Sequence, residues 1–242
     1  MAKPWFEQAF GPQYLQVYQH RSEEQAQAQV AAMQSCGLLP RAGRVLDIAC
    51  GTGRHLRAMR AAGLHAWGLD YSRHLLSAGK LAGLAVRADM RDIPFADQRF
   101  DWACSCFTSF GYFESDQQDL RMFRAAARVL VIGGCMVLDH INPAVTLREL
   151  KAETIEARDG MTILQRRRHD PAAGLIIKDI EVTKGGDVQR WSERVRYYQP
   201  AALQNLLQQA GLRVLKRCGE LDGRPFDDQH SPRQVILAHR PN

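Results

Sequence analysis

The chain has 242 residues, and its hydrophobic content of 45% is ordinary for a protein with one main buried core. Its longest uncharged apolar run, from 129 to 138, stops well short of the ~20 residues that a membrane span needs, so we expect no membrane partner. The net charge of +6 is spread along the chain and does not form a basic patch, which argues against a nucleic-acid partner. No signal-peptide core appears near the first residue, and we expect a cytoplasmic protein.

The six cysteines are scattered and lie mostly in apolar runs. No CxxC or HxxxH pair is present, so the spacing favours buried free thiols over a metal site.

The first part of the chain has helical spacing of apolar residues in two pieces, with a break near Arg21. Ser22 precedes two glutamates and is a typical N-cap, so a short helix is predicted before a longer one.

From Arg44 onward, strand-like and helix-like segments alternate, which predicts βαβ units and a parallel sheet buried on both faces. The predicted strands are 44–50, 64–70, 84–89, 99–107 and 134–141, and the predicted helices are 54–62, 73–82 and 116–130.

The period changes between 154 and 198, where three or four strand-like stretches are separated by turn signals such as Asp159-Gly160. This region predicts an antiparallel layer inserted into the fold. A helix from 201 to 211 and two strands, 212–218 and 233–240, follow it.

The loop in "VLDIACGTGRH" (45–55) has three possible uses: to cradle a phosphate, to admit a dinucleotide, or to hold a nucleoside without phosphate. No lysine follows Gly51 and Gly53, which excludes a Walker A loop. Leu56 stands where the dinucleotide fingerprint has its third glycine, which disfavours NAD or FAD. A nucleoside fits best, because Ala49 and the two glycines let the backbone approach a ligand closely.

Three acids follow this loop's strand and its two neighbours: Asp47 inside the first strand, Asp70 at the end of the second and Asp89 at the end of the third. The carboxyl ends of parallel strands share one edge, so we expect the acids to form a row there. Asp70 is placed to accept ribose hydroxyls, and Asp89 an exocyclic amino group, with Met90 packing on the base.

These residues, with "GLDYS", "ADMRDIPF" and "FDWACSCFTSFGYF", resemble the class I S-adenosylmethionine-dependent methyltransferases. The resemblance implies a Rossmann-like fold with a mostly parallel seven-stranded sheet, an antiparallel last strand and, here, an antiparallel β insertion. It implies S-adenosylmethionine as cofactor and S-adenosylhomocysteine as product. The cofactor-binding residues that it implies are Tyr14, Arg21, Asp47, Ala49, Cys50, Gly51, Gly53, Asp70, Tyr71, Asp89, Met90 and Phe107.

Within that set, Ala49 replaces the first glycine of the family's loop motif. Tyr14 and Arg21 belong to an N-terminal segment that folds over the cofactor in the family and could meet its methionyl carboxylate. Both ends of the chain resemble a bacterial subgroup, many of whose substrates are unassigned. The implied division is 1–43 as a helical lid, 44–150 as the cofactor-binding core, 151–198 as the β insertion and 199–242 as the rest of the core.

Methyl transfer from a sulfonium needs alignment and exclusion of water, and it requires no metal. The expected acceptor is an N or O atom of a small molecule or peptide. Tyr112, after the fourth strand, and His140, at the end of the fifth, are the catalytic candidates, whereas His55 is expected on a helix surface. One strand face carries three arginines, Arg190, Arg194 and Arg196. They could form a roof for an acidic substrate or a solvated surface, and we favour the solvated surface.

Two other functions stay open. An RNA methyltransferase would suit the positive charge, although no RNA-binding motif or N/D-P-P-Y/F tetrad is present. A non-catalytic S-adenosylmethionine-binding protein is also possible. Exposed strands of the insertion could form a homodimer.

Overall fold

The computed structural model describes residues 4–18 and 20–242, in which helices and strands alternate through most of the chain. The helices are α1 Trp5–Ala9, α2 Pro12–Val17, α3 Glu23–Ser35, α4 Arg54–Ala61, α5 Arg73–Ala78, α6 Asp116–Val129, α7 Pro143–Arg148 and α8 Pro200–Gln209. The strands are β1 Arg44–Ile48, β2 His65–Asp70, β3 Ala85–Arg87, β4 Phe100–Ser105, β5 Leu130–Ile141, β6 Glu153–Arg158, β7 Met161–Asp170, β8 Leu175–Lys184, β9 Asp187–Arg196, β10 Arg213–Cys218 and β11 Arg233–His239.

The main sheet has seven strands in the order β10-β11-β5-β4-β1-β2-β3. Strands β1 to β5 pair in parallel, whereas β11 runs antiparallel to both β5 and β10. The predicted fold class is confirmed, and the carboxyl ends of β1, β2, β3, β4 and β5 all meet at one edge.

Both faces of this sheet are covered by helices, which explains why its strands are nearly continuous apolar runs. One face, with Leu46 and Met136, packs on α6 and α8 through residues such as Phe123 and Leu207. The opposite face, with Val45 and Val137, packs on α3 and α4. Alternation along each strand therefore decides which of two separate cores a side chain enters.

Several element ends differ from the predicted ones. β1 ends at Ile48 and not at residue 50, because Ala49 adopts a φ of 59° and leaves the extended conformation. The segment before Ser22 forms two short helices and not one. Ser22 caps α3 as predicted: its hydroxyl accepts a hydrogen bond from Gln25 N at 3.2 Å, and the Gln25 side chain accepts one from Ser22 N.

The predicted insertion is a separate four-stranded antiparallel sheet in the order β6-β7-β8-β9. One end of its inner face is apolar and packs on α1 and α2, where Ala9 and Val17 contact Met161, Ile180 and Trp191. The N-terminal helices therefore lie between this sheet and the main domain. Across residues 4–18 and 20–242, no helix has both the length and the apolar content that crossing a membrane requires.

The end of β9 is joined to the loop after β4. Arg196 N donates to Gly111 O at 2.7 Å, and Gly111 has a φ of +83°. A Cβ atom at position 111 would overlap the carbonyl oxygen of Arg196. Glycine is thus required here by both backbone conformation and space.

We expect Gly111→Ala to destabilise the protein more than Gly160→Ala. Gly160 has a similar φ of +71°, but a Cβ added to it would meet nothing within 4 Å, so it isolates the conformational cost alone. The added overlap at Gly111 should lower the free energy of unfolding by a further ~1–3 kcal/mol. Urea titration of the two variants measures the difference, and equal midpoints would contradict the contact described.

Candidate functional site

A cavity of about 480 Å³ opens at the carboxyl edge of the parallel strands. Its floor comes from the ends of β1, β2 and β4, and its cover from α1, α2 and the inner faces of β8 and β9. The lining includes eleven of the twelve residues that the sequence assigns to cofactor binding, together with Tyr112: Tyr14, Arg21, Asp47, Ala49, Cys50, Gly51, Asp70, Tyr71, Asp89, Met90 and Phe107.

The glycine-rich loop begins the cavity floor. Ala49, Gly51 and Gly53 have φ values of 59°, 57° and 79°, so every second residue is left-handed. Such a turn presents backbone N–H groups to a ligand. Gly53 was predicted to bind the cofactor, but it does not line the cavity. It is the N-cap of α4, and a Cβ atom there would lie 2.6 Å from Leu81 Cδ2.

The carboxylate of Asp70 fixes this loop. One oxygen accepts from Gly51 N at 2.8 Å and the other from Ser72 N at 2.7 Å. Burial raises the pKa of Asp70, and these backbone hydrogen bonds oppose the rise. Since an ionised carboxylate can accept about four hydrogen bonds, two further acceptor positions remain for a ligand.

Asp47 lies deeper in the cavity wall and is only 3% exposed. Cys104 Sγ donates to its Oδ1 at 3.7 Å, while Oδ2 has no hydrogen-bond partner in the described part of the chain. Burial raises the pKa of Asp47 to about 7, and the nearby charge of Asp70 adds to the rise. An unpartnered buried carboxylate of this kind is suited to a cationic ligand.

Asp89 is less available than the sequence implies, because Arg91 occupies both of its oxygens, with Nε at 3.0 and 3.1 Å and Nη2 at 2.6 Å. Burial raises the pKa of Asp89, but these hydrogen bonds outweigh it and the net shift is downward. Met90, next to it, is buried at the cavity wall. Asp89 therefore also holds the loop after β3 in place.

The N-terminal helices are fastened over the cavity by hydrogen bonds and aromatic contacts. Trp5 Nε1 donates to Tyr112 O at 3.0 Å, Ser72 Oγ donates to Phe10 O at 2.7 Å, and Tyr71 OH donates to Glu7 at 2.6 Å. The Trp5 and Tyr112 rings pack edge to face at 5.3 Å. Such a cover limits the access of water to the floor beneath it.

Two guanidinium groups, Arg21 and Arg54, line the end of the cavity nearest α4. Arg21 donates to Tyr14 OH at 2.7 Å and lies 4.3 Å from the centre of the Tyr18 ring. Arg54 donates to Ser22 O at 3.2 Å. Neither has a carboxylate within 4.0 Å among the residues that the structure describes. The pair is therefore suited to a carboxylate ligand.

The loop after β4 holds two consecutive residues in the left-handed region, Phe107 and Thr108, at φ 59° and 58°. The buried Asp139 carboxylate accepts from Phe107 N at 2.8 Å and from Arg233 Nε at 2.7 Å, and Arg233 Nη2 donates to Thr108 Oγ1. Since such backbone geometry costs ~1–3 kcal/mol per residue, this network keeps the Phe107 ring at the cavity.

His140 does not reach the cavity, contrary to the prediction. It shares a strand face with Met136 and Leu138, and its ring lies 5.4 Å from that of Phe110 in the core under α6 and α8. Burial lowers its pKa to about 3, and neither ring nitrogen has a hydrogen-bond partner among the described residues. Tyr112 does line the cavity, where burial raises its pKa and keeps the phenol neutral.

Sequence reasoning also misplaced His55, which is buried at the cavity with its ring 5.0 Å from that of Phe107. Burial lowers the pKa of His55 to about 4, so it is uncharged at neutral pH. Arg190 and Arg194 are exposed on the outer face of β9, as favoured, and Arg196 clamps the carbonyl groups of Glu114 and Ala173.

The roof is instead formed by the inner face of the insertion, which the sequence did not reveal. Lys178 and Glu193 are paired in register on β8 and β9 and both line the cavity. Tyr18 OH donates to Glu193 at 2.9 Å. Side chains two residues apart on a strand share a face, so Glu193 lies on the same face of β9 as the buried Trp191. This alternation is the local signal that could have identified Glu193 as an inner-face residue.

The family described as "Methyltransferase domain" matches residues 45–134, which contain the loop and all three acids. Over this part of its length, the chain is similar to the class I S-adenosylmethionine-dependent methyltransferases. It is 33% identical to the putative methyltransferase YqeM of Bacillus subtilis, over 42% of this chain and 43% of that protein. It is 27% identical to the cypemycin N-terminal methyltransferase of a Streptomyces species, over 81% of this chain and 83% of that protein.

Among solved structures, it resembles S-adenosylmethionine-bound CalS10, an amino pentose methyltransferase from Micromonospora echinaspora, with a TM-score of 0.68 and 21% identity. That likeness covers 94% of this chain and 96% of CalS10. It concerns the fold.

The cavity lining fits S-adenosylmethionine, the methyl donor of the enzymes that this chain resembles, in three of its groups. The unpartnered Oδ2 of Asp47 suits the α-ammonium group, and the free acceptor positions of Asp70 suit the ribose hydroxyls. Arg21 and Arg54 suit the carboxylate. The ammonium and carboxylate groups of this nucleoside thus each have a partner of opposite charge in the lining.

Asp47→Asn is expected to change how stability depends on pH. The folded-state pKa of about 7 lies above the ordinary 3.8, so folded Asp47 keeps a proton that the unfolded chain has lost. Wild-type stability should therefore fall relative to the variant as pH rises from 4 to 7, by up to about 1.4 kcal/mol per pH unit. Urea titrations across this window measure the difference.

Contributions from His55 and His140 have the opposite sign but are common to both proteins and cancel. Asp187→Asn, at the exposed first residue of β9, is the control and should leave the curves parallel. Parallel curves for Asp47→Asn as well would refute the raised pKa.

Arg21→Gln is expected to weaken S-adenosylhomocysteine binding by ~10- to 100-fold, the usual loss for a charge-assisted hydrogen bond. Binding of 5′-methylthioadenosine, which has no carboxylate, should change less than twofold. Isothermal titration with both ligands gives the two ratios. A parallel loss for both would mean that Arg21 supports the lid and not the carboxylate.

Proposed function

We propose that the protein transfers a methyl group from S-adenosylmethionine to an amine nitrogen of a small molecule or peptide. The donor supplies a methyl group on a sulfonium sulfur, which moves by in-line displacement. What remains for the protein is to hold donor and acceptor in line and to exclude water.

The observation that carries the proposal is a set of charged side chains in one covered cavity that have no salt-bridge partner among the described residues. Asp47 and Asp70 lie on the floor, Arg21 and Arg54 at one end, and no other part of the described chain concentrates such groups at the sheet edge. The matching distribution of positive and negative groups in the donor supports this assignment.

The cover over the cavity favours a small molecule or peptide as the methyl acceptor. Helices α1 and α2 and the inner faces of β8 and β9 close the cavity from above, so an acceptor must enter a limited space. The aromatic rings of Trp5, Phe10 and Tyr112 contact one another in this cover and keep water from the reacting atoms.

The names of two similar proteins favour nitrogen over oxygen as the methyl-accepting atom. The cypemycin N-terminal methyltransferase and the amino pentose methyltransferase CalS10 are both named for amine-bearing substrates. A deprotonated amine attacks without further activation, whereas a hydroxyl usually needs a general base at hydrogen-bond distance.

Two further parts of the proposal concern setting and assembly. We propose a cytoplasmic protein, in keeping with the six free cysteines. We also propose that it can form a homodimer through the inserted sheet, whose edge strands β6 and β9 carry the exposed apolar residues Ile155 and Val188. Nucleic acid has no place in this proposal.

The test is methyl transfer from radiolabelled S-adenosylmethionine to a panel of amines, here an aminohexose, benzylamine and an alanine-initiated tripeptide. Each has a matched control in its N-acetylated form, which keeps the shape and removes the basic nitrogen. We expect label in at least one free amine at ten or more times the level in its acetylated partner.

Label found equally in both members of the aminohexose pair would indicate a hydroxyl acceptor. Label found only in total RNA would favour the RNA methyltransferase alternative. Binding of the donor with no transfer to any acceptor would point to the non-catalytic alternative.

A further inference from the structure

A second cavity, of about 430 Å³, adjoins the first and shares part of its wall. Five residues line both cavities: Thr108, Ile141, Lys178, Glu193 and Val195. We call the first the inner cavity and the second the outer cavity. The outer cavity is lined elsewhere by residues of α7, the segment after it, and β6, β7 and β8, including Thr146, Leu150, Thr154, Arg167 and Ile176.

The outer cavity has room for a small molecule. Its walls combine aliphatic side chains, such as Ile176 and Val195, with the hydroxyl groups of Thr108 and Thr154. Pockets of ~300–1,000 Å³ with apolar walls and a few polar groups are typical for ligands of this size. With the donor in the inner cavity, the outer cavity is the adjoining space for an acceptor.

The shared wall contains one carboxylate, that of Glu193, held in a fixed position. Lys178 Nζ lies 2.6 Å from Glu193 Oε2, and Tyr18 OH donates to both carboxylate oxygens at 2.9 Å. Lys178 Nζ also donates to Tyr18 OH. The side chains of Glu193 and Lys178 are 12% and 19% exposed.

A contribution to the stability of the fold is a weak explanation for the largely buried Lys178–Glu193 ion pair. Removing two charges from water is costly, and their mutual attraction offsets this cost only in part. On the same face of the sheet, the neighbouring positions Ile180 and Trp191 are apolar and buried. Lys178 and Glu193 lie where the inserted sheet no longer packs on α1 and α2 and begins to cover the cavities. A charged pair at this position indicates a role in binding a ligand.

Other acids do not meet these requirements. Asp47 and Asp70 line the inner cavity alone, and Glu149 lines the outer cavity alone and is bonded to Arg148 at 3.0 Å. Among the described residues, Glu193 is the acid that faces both cavities. Tyr112 and His55 are neutral groups of the inner cavity.

We propose that the outer cavity binds the amine acceptor and that Glu193 contacts its ammonium group and takes its proton. This inference rests on the proposed function. A carboxylate has about four acceptor positions, so Glu193 can receive an ammonium N–H while Tyr18 and Lys178 hold it. An acceptor of this chemistry is a primary or secondary amine on a compact, partly apolar body.

Atoms and electrons balance in this step. One N–H bond of the ammonium breaks and its proton joins a Glu193 oxygen, which leaves a lone pair on nitrogen. That pair forms the new N–C bond while the C–S bond breaks and leaves its electrons on sulfur. Glu193 then releases its proton to solvent through the outer cavity, and the methylated nitrogen carries the positive charge.

The test compares Glu193→Gln with Glu181→Gln. The first keeps an acceptor for Tyr18 and removes the negative charge. The second removes a carboxylate of the same sheet that is bonded to Arg190 on its outer face, 2.6 Å away, and should behave as wild type. Both should bind S-adenosylhomocysteine with wild-type affinity, which shows that the inner cavity is intact.

Amine binding is then measured by isothermal titration of the S-adenosylhomocysteine complexes with benzylamine, the aminohexose and the alanine tripeptide. We expect Glu193→Gln to weaken amine binding by at least about tenfold and, where transfer occurs, to lower kcat/KM by about 100-fold or more. Ile176→Trp, which fills the outer cavity, should abolish amine binding and spare S-adenosylhomocysteine binding.

Equal amine affinity in Glu193→Gln and wild type overturns the role of Glu193. Absence of binding by all three amines, or binding that Ile176→Trp leaves unchanged, overturns the acceptor cavity. Amine binding that depends on Glu193 without methyl transfer supports this inference while the proposed function fails, so the two are tested separately.

Discussion

The carboxylate of Asp70 joins the two loops on which the rest of the site depends. It accepts from Gly51 in the loop after β1 and from Ser72 in the loop after β2. Ser72 in turn caps α5, accepting from Leu75 N, and donates to Phe10 O in the N-terminal cover. A continuous chain of hydrogen bonds thus connects the floor of the cavity with its lid, and a nucleoside bound at Asp70 would contact the centre of that chain.

The inserted sheet has one inner face with two different uses. Its apolar part packs on α1 and α2, and its polar part, with Lys178 and Glu193, covers the cavities. Because both parts belong to the same strands, the position of the lid and the position of the roof are set together. Tyr18 makes this coupling direct, since it packs with the apolar cluster and donates to Glu193.

The sequence was sufficient for the parallel order of the strands and for the row of acids, since both follow from local patterns and from the geometry of βαβ units. The sequence was insufficient where a shift of one residue along a strand decides which face of the sheet a side chain occupies. Asp139 and His140 are neighbours on β5, yet Asp139 binds Arg233 at the cavity loop and His140 enters the opposite core. Reading the strand end alone could not separate them.

The roof was unpredictable for a different reason. Which face of the insertion turns inward is decided by α1 and α2, more than a hundred residues earlier, and by the clamp between Arg196 and Gly111. Glu193 stands in a run whose alternate positions include three arginines, so composition drew attention to the outer face. Ala49 was identified correctly as the unusual loop residue, and its φ of 59° now gives the physical reason why glycine is common there.

The placement of the lid has a consequence for how the chain is made. Tyr18 and Glu193 are bonded across 175 residues of sequence, and Trp5 and Tyr112 across 107. Contacts of such separation form late, because a long loop must close before they contribute. During synthesis, helices α1 and α2 must therefore wait until the inserted sheet has been made and paired. These two helices are among the last described elements to reach their final place, and only then does the site become enclosed.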